Sequence, residues 1–334
     1  MVYTGIRDNR RHHVRSSLLT PWKLISVARD LRRRRYDLIV VHPPLYAAWH
    51  PRSFLTVLKR RPFTFSAAFS ANLAFHFLRA VRHTPIVVTD FADSFGIGAH
   101  NFFLFDRCRV FFKRELPADN WQVFYRTGHR GLPTATFRRK PRFRQFMDKL
   151  RPIGLGIDTP LAERAARISR PKNADIFFAG QVQNSSTPRE RGLRELLSLR
   201  ERGVVVDVPS APVSESEFLE RCASAWLVWS PSGFGWECFR HYEAAACGSV
   251  PVINQPTIER YCPLEEGRHC FLYPVEQGGL AGTVLAALRD KARLREMAAA
   301  ARQHVLEHHT YAALCRYIAG AALAPEADGR SPAQ

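Results

Sequence analysis

Residues 230–253, SPSGFGWECFRHYEAAACGSVPVI, constrain the fold more than any other stretch of the chain. The apolar run SAWLVW (224–229) before them has the length of a buried strand, and Ser230 to Gly235 is turn chemistry. ECFRHYEAAAC reads as one short helix, closed by Gly248 where a left-handed cap is usual, and VPVI follows at once as the next buried strand. A strand, a helix and a strand joined by turns this short belong to an α/β fold.

Arg240 and Glu243 lie three residues apart in that helix and so share a face in its first two turns. As a surface ion pair they would contribute little. As a ligand site they have a chemical rationale, because a helix N-terminus after a strand attracts anions and a nearby carboxylate can accept two hydrogen bonds from a diol. The segment resembles the donor-binding signature of group 1, family 4-like glycosyltransferases of the GT-B fold, including their exostosin-like and spore-maturation-like branches. The residues that carry the likeness are the Pro-Ser-x-x-Gly turn and the following RxxEAxACGxxPVI, and it is strong over about residues 175–275. The resemblance implies that Glu243 holds the ribose hydroxyls of a nucleotide sugar. The family's first acid falls on Gly235 here, and the nearest acid is Glu237. Gly235, Trp236 and Glu237, at the expected helix start, are therefore further donor-binding candidates.

Earlier in the chain, Pro21 and WKLISVARDLRRR predict a helix over 21–34, and YDLIVVHPP a parallel strand ending at His42. Residues 1–19 read as an irregular lead-in. SFLTVLKRR (53–61) and SANLAFHFLRAVRH (70–83) are amphipathic helical runs, and PIVVTDFAD is the next strand, with Asp90 and Asp93 at its carboxyl end. Ligands of open α/β sheets bind outside such ends, so His42, Asp90 and Asp93 are acceptor-side candidates; a helix cap is the other reading of one of the acids. RVFFKRELP and WQVFYRTG read as two more strands, and FFKRELP resembles a stretch that precedes the interdomain hinge in the same family. After the hinge-like RPIGLGID, ADIFFAGQ is a strand and Gly180 opens a polar turn into a helix with Thr187 as N-cap, Pro188 at its first position and Glu190 at its third. Arg189 and Arg191 carry the wrong charge for the first turn of that helix, which favours a diphosphate partner. Together with Arg240 they are the groups expected to neutralise a departing diphosphate. GVVVDV is a strand, SESEFLERCAS a helix with a capping box, and residues 277–322 are helical, ending in a helix that crosses back to the first half.

Charge divides the chain in two. Residues 1–170 hold 32 lysines and arginines against 11 acids, and the remainder 17 against 19, so all of the net +19 lies in the first half. This predicts two domains with different partners, one of them anionic. The expected boundaries are 1–170 for a basic, acceptor-binding Rossmann-like domain, 171–310 for a nucleotide-sugar-binding one, and 311–334 for a crossover helix and a tail disordered after Pro325. The resemblance implies GT-B architecture with a deep interdomain cleft, and transfer of a hexosyl-type sugar from a UDP-, GDP- or ADP-sugar to a glycan or lipid-linked acceptor. It further implies retention of configuration, with no metal and no other cofactor. No apolar run reaches the ~20 residues that span a bilayer, and the start has no signal-peptide core, which predicts a cytoplasmic protein held peripherally on the inner, anionic membrane face. Seven cysteines without a C-x-x-C pair indicate neither a disulfide framework nor a zinc site. The absence of GxGxxG, Walker A, HExxH and GxSxG sequences removes the usual anchors of hydride transfer, ATP hydrolysis and serine-esterase chemistry. The rival readings are a nucleic-acid-binding protein, suggested by charge and by the Arg/Phe loop 126–144, and a GT-B domain that binds sugar nucleotides without transfer.

Overall fold

The computed structural model describes residues 2–4, 16–18, 21–33, 36–43, 77–124, 143–183 and 185–324. The helices expected over 53–61 and most of 70–83, the basic loop 126–142 and the tail after Pro325 lie outside them.

Two parallel sheets organise these residues. The first runs β3 (Ile39–Val41), β4 (Ile86–Asp90), β5 (Val110–Lys113), β6 (Leu150–Pro152) in sequential order. The second comprises β7 (Ala174–Phe177), β8 (Val206–Asp207), β9 (Ala225–Trp229), β10 (Val250–Asn254) and β11 (Phe271–Tyr273), in the order β11-β10-β9-β7-β8. All neighbouring pairs in both sheets are parallel, and every residue of β4 and β10 is buried, as continuous apolar runs covered on both faces require. The α/β class read from the sequence is the class observed. Within the stretch 1–19 expected to be irregular, the described residues form a further parallel pair, β1 (Val2–Thr4) and β2 (Ser16–Leu18).

Helices α1 (Pro21–Arg32) and α2 (Arg144–Met147) belong to the first half. In the second, α3 (Thr159–Arg167), α4 (Thr187–Ser198), α5 (Glu215–Ser224), α6 (Arg240–Ala246), α7 (Gly279–Ala287) and α8 (Lys291–His308) cover both faces of the sheet. On one face, Ala244–Ala246 of α6 and Ala301 of α8 are fully buried, and these small side chains let the two helices approach closely. Gly248 takes φ +77°, the left-handed cap that releases the chain into β10. The last helix, α9 (Tyr311–Leu323), leaves the second sheet and lies on the first: Leu314 and Ala322 pack with Val87, Val110, Phe112 and Ile153, and the Tyr317 hydroxyl donates to the Pro152 carbonyl at 3.2 Å.

Two local expectations are corrected. The described part of WQVFYRTG, residues 121–124, is not a strand: Asn120–Phe124 form a 3-10 turn, because Asp119 accepts the Trp121 amide on its side chain (3.1 Å) and the Gln122 amide on its carbonyl (2.9 Å). Phe143, read as part of an exposed basic and aromatic loop, is instead buried among Phe124, Phe146 and Phe102, with ring centroids 4.8, 5.6 and 5.2 Å away.

Candidate functional site

The chain leaves β7 for β8 at the sheet edge and then returns to β9 on the other side of β7, so the strand order reverses between β7 and β9. Crevices outside the carboxyl ends of strands at such a reversal are where open α/β sheets bind ligands. Two arginines converge there. Arg189, in the first turn of α4, donates from Nε to the Ser232 carbonyl (3.1 Å) and from Nη1 to the Gln181 carbonyl (3.0 Å), tying the turn after β7 to the turn after β9. Burial lowers its pKa, and Arg240 beside it acts in the same direction. Arg240 opens α6, lies 5.0 Å over the Phe178 ring and donates from Nη2 to the Ala179 carbonyl at 2.6 Å. Its Nε and Nη1 are buried and have no partner among the described residues. Gly180 leaves room for this guanidinium, since a Cβ there would displace Arg240 Nη2. A cavity of ≈ 310 Å³ opens alongside, lined by Phe178, Gly180, Gln181, Gln183, Val208 and Pro209 among others.

Glu243 is half-buried and its side chain makes no hydrogen bond or ion pair within the described residues; burial raises its pKa, and Arg240 opposes that shift. It does not close on Arg240 as a surface pair. A carboxylate left open beside a buried, unpaired guanidinium can accept hydroxyls of whatever anionic ligand the arginines hold. Arg191 is not brought to this place; it is exposed on α4 and its side chain has no partner among the described residues. The α4 cap also differs from the expectation by one residue: Ser186, not Thr187, is the N-cap, and its hydroxyl donates to the Ser232 carbonyl (2.7 Å) rather than capping the helix.

Gly235, Trp236 and Glu237 do not start the helix, which begins at Arg240. They face the first half of the molecule. Glu115, two residues beyond β5 and fully buried, accepts the Trp236 amide on Oε2 (2.8 Å) and the Glu237 amide on Oε1 (3.2 Å). Arg114 Nε donates to Glu115 Oε1 (3.2 Å), and Arg114 Nη2 pairs with Asp93. The Trp236 indole is anchored on the Asn254 and Gln255 carbonyls (3.1 and 3.0 Å). Glu237 accepts the Leu155 amide (2.8 Å) and the Tyr242 hydroxyl, and burial, outweighing those bonds, pushes its pKa up to about 7. These residues are joints between the halves. Sequence reading missed Glu115 and Arg114; the available signal was the consecutive charges KRE at the end of a buried strand, since charges are not taken into an interior without partners.

Of the acceptor-side candidates, Asp90 is buried and held by Lys113 Nζ (3.2 Å) and the Ala92 amide (2.9 Å), so its role is structural. His42 is exposed and its Nδ1–H donates to the Thr89 carbonyl at 2.7 Å. Asp93 keeps a half-exposed carboxylate beside Arg114.

Comparison with known proteins bears on the second sheet first. Residues 217–320 match the family model described as glycosyl transferase-like. This glycosyl transferase-like segment contains Arg240, Glu243 and Gly248, and Arg189 lies before it. Among solved structures, the chain is similar to a glycosyltransferase from Rickettsia africae, with 10% identity, a TM-score of 0.52, and 94% of this chain and 82% of that one covered. It is also similar to the trehalose-6-phosphate synthase OtsA, with 10% identity, a TM-score of 0.51, and 90% and 76% covered. At such identities the likeness speaks for the fold, which is α/β of GT-B type with two Rossmann-like halves. No curated protein matches the sequence.

Glu243→Ala is expected to weaken donor binding by about 1.5–3 kcal/mol, the scale of a lost hydrogen bond to a charged group. With no internal partner to orphan, the melting temperature should stay within a few degrees. Titration calorimetry with whichever of the UDP-, GDP- and ADP-sugars stabilises the wild type checks it, and unchanged affinity would remove Glu243 from the site.

Proposed function

We propose that the chain is a glycosyltransferase that takes a sugar from a nucleoside-diphosphate donor held at the β7/β9 crevice and passes it to a glycan or lipid-linked acceptor. The observation that carries this reading is the Arg189–Arg240 pair: two desolvated guanidinium groups at the carboxyl ends of the strands, one with two buried N–H donors unmatched, beside a carboxylate free to bind a diol. Two guanidinium groups share the crevice with one carboxylate, so net positive charge and open N–H donors remain there, which favours an anion. A leaving diphosphate gains negative charge as the glycosidic bond breaks, so preorganised donors there act most strongly in the transition state. The glycosyl transferase-like match over Arg240 and Glu243 supports the same reading. In this reading transfer is hexosyl, retaining and independent of a metal.

A thermal-shift panel of UDP-, GDP- and ADP-sugars, followed by turnover of the stabilising donor with and without EDTA, tests this. One nucleotide should raise the melting temperature, and turnover should persist in EDTA. No shift with any nucleotide would refute the function, and a strict metal requirement would refute that part of the chemistry.

The acceptor is proposed to be presented at an anionic membrane surface by the basic first half, with the protein in the cytoplasm and peripheral to the membrane. No helix among the described residues is long and apolar enough to cross a bilayer. Each Lys or Arg near an anionic leaflet contributes about 1 kcal/mol, so five suffice for reversible attachment. Phe143, being buried, adds no insertion. Co-sedimentation with vesicles should rise with anionic lipid and fall with salt; binding indifferent to both, or none, would remove the membrane from the proposal.

A further inference from the structure

The turn after β9 carries the Ser232 carbonyl that Arg189 holds and leads directly into Arg240, yet part of its backbone is held from the other half of the molecule. Inside the turn, Gly233 N–H bonds to the Gly235 carbonyl (2.9 Å), while the amides of Trp236 and Glu237 both end on Glu115. Glu115 is fully buried, and the first half braces it further through Arg114 and Asp93. Gly235 admits this approach, since a Cβ there would meet Glu115 Oε1 and Arg114 Nη2. Glu115 thus stands between the two halves, with one carboxylate oxygen on each of two successive amides, a few residues from the two arginines.

We propose that Glu115 is a positioning residue for the anion site. From the first half it sets the backbone of the turn that presents Ser232 and Arg240, so the Arg189–Arg240 pair is aligned only while the halves are joined through this carboxylate. The proposal rests on the reading of that pair as the diphosphate site. A merely structural interface contact would lower stability and leave ligand affinity alone; a positioning contact changes affinity at a site it does not touch.

Glu115→Gln retains shape but sets an amide NH₂ against a backbone N–H, and Gly235→Ala pushes the same contact apart from the other side. Two readouts are taken on the full chain: hydrogen exchange at the Trp236 and Glu237 amides, and calorimetric binding of UDP, GDP and ADP. Both amides should exchange about tenfold faster or more, with β9 and β10 unchanged, and affinity for the diphosphate that wild type binds should fall about tenfold or more. Should Glu115→Gln fail to fold, Gly235→Ala carries both measurements. Unchanged exchange overturns the proposal, and so does a loosened turn with affinity within about twofold of wild type. If wild type binds none of the three diphosphates, the reading of the arginines falls, and the alignment claimed for them falls with it even where Glu115 is shown to hold the turn.

Discussion

Arg240→Ala should lower kcat by about two to three orders of magnitude, about 2.7–4 kcal/mol, while the melting temperature stays level or rises. The two halves of this expectation come from one fact. Arg240 makes a single hydrogen bond, to the Ala179 carbonyl, and keeps Nε and Nη1 buried and unmatched. Buried N–H donors without acceptors cost the empty fold free energy, and removing them offsets the loss of the Ala179 bond and of the attraction to Glu243. The same charge is worth most when the diphosphate departs, so turnover should fall by a larger factor than KM rises. Lysine should rescue only in part, because a point charge does not reproduce the planar fork. Single-turnover kinetics with a parallel thermal melt checks both halves; turnover near wild type would place the phosphate contact elsewhere, and a large loss of stability would mean that Arg240 is structural.

The second large effect concerns pH. Glu237 is buried and its pKa is raised from 4.5 to about 7 in the folded chain. Between those values the folded state holds a proton that the unfolded state has released. Its contribution to stability is therefore full below about pH 4.5, declines as pH rises, and is lost once pH passes about 7, a change on the order of 3 kcal/mol. In Glu237→Gln, denaturant midpoints measured from pH 5 to 8 should lack that component, so the wild-type and variant curves should converge or cross as pH rises. Parallel curves would show that Glu237 titrates normally in the fold. Because Glu237 joins Leu155 of the hinge segment to Tyr242 of α6, the loosening at high pH should be felt between the halves rather than within either sheet.

The parts of the molecule legible in the sequence are those written in local patterns. SAWLVW, the Gly248 cap and VPVI gave β9, the end of α6 and β10 because burial on both faces and a left-handed cap leave direct marks on residue type. Arg189 could be singled out because it stands where charge is locally uncomfortable, and Arg240 because it shares a helix face with Glu243 in a recognisable signature. The start of α6 was not legible: turn-prone Gly233 and Gly235 are followed by residues able to continue a helix, and what delays it to Arg240 is the distant carboxylate of Glu115. Arg191 shares charge and turn with Arg189, and only the rotation of α4 against the sheet separates them into one inward and one outward side chain. Asp90 carried the signature of a ligand-facing acid at a strand end, and its removal to the interior depends on Lys113 of the neighbouring strand.

The docking of α9 on the first sheet also sets a schedule for making the protein. Val87, Val110, Phe112 and Ile153 obtain part of their cover from Leu314 and Ala322, and Arg109 donates to the carbonyl of Ala324, some of the last residues described. On a ribosome that delivers the chain from its N-terminus, the first sheet emerges early but waits for nearly the whole of the remaining chain before that face is closed. Such closure across long sequence separations is slow, so the newborn first half carries an uncovered apolar face for most of synthesis, and truncations that end before α9 inherit that exposure permanently.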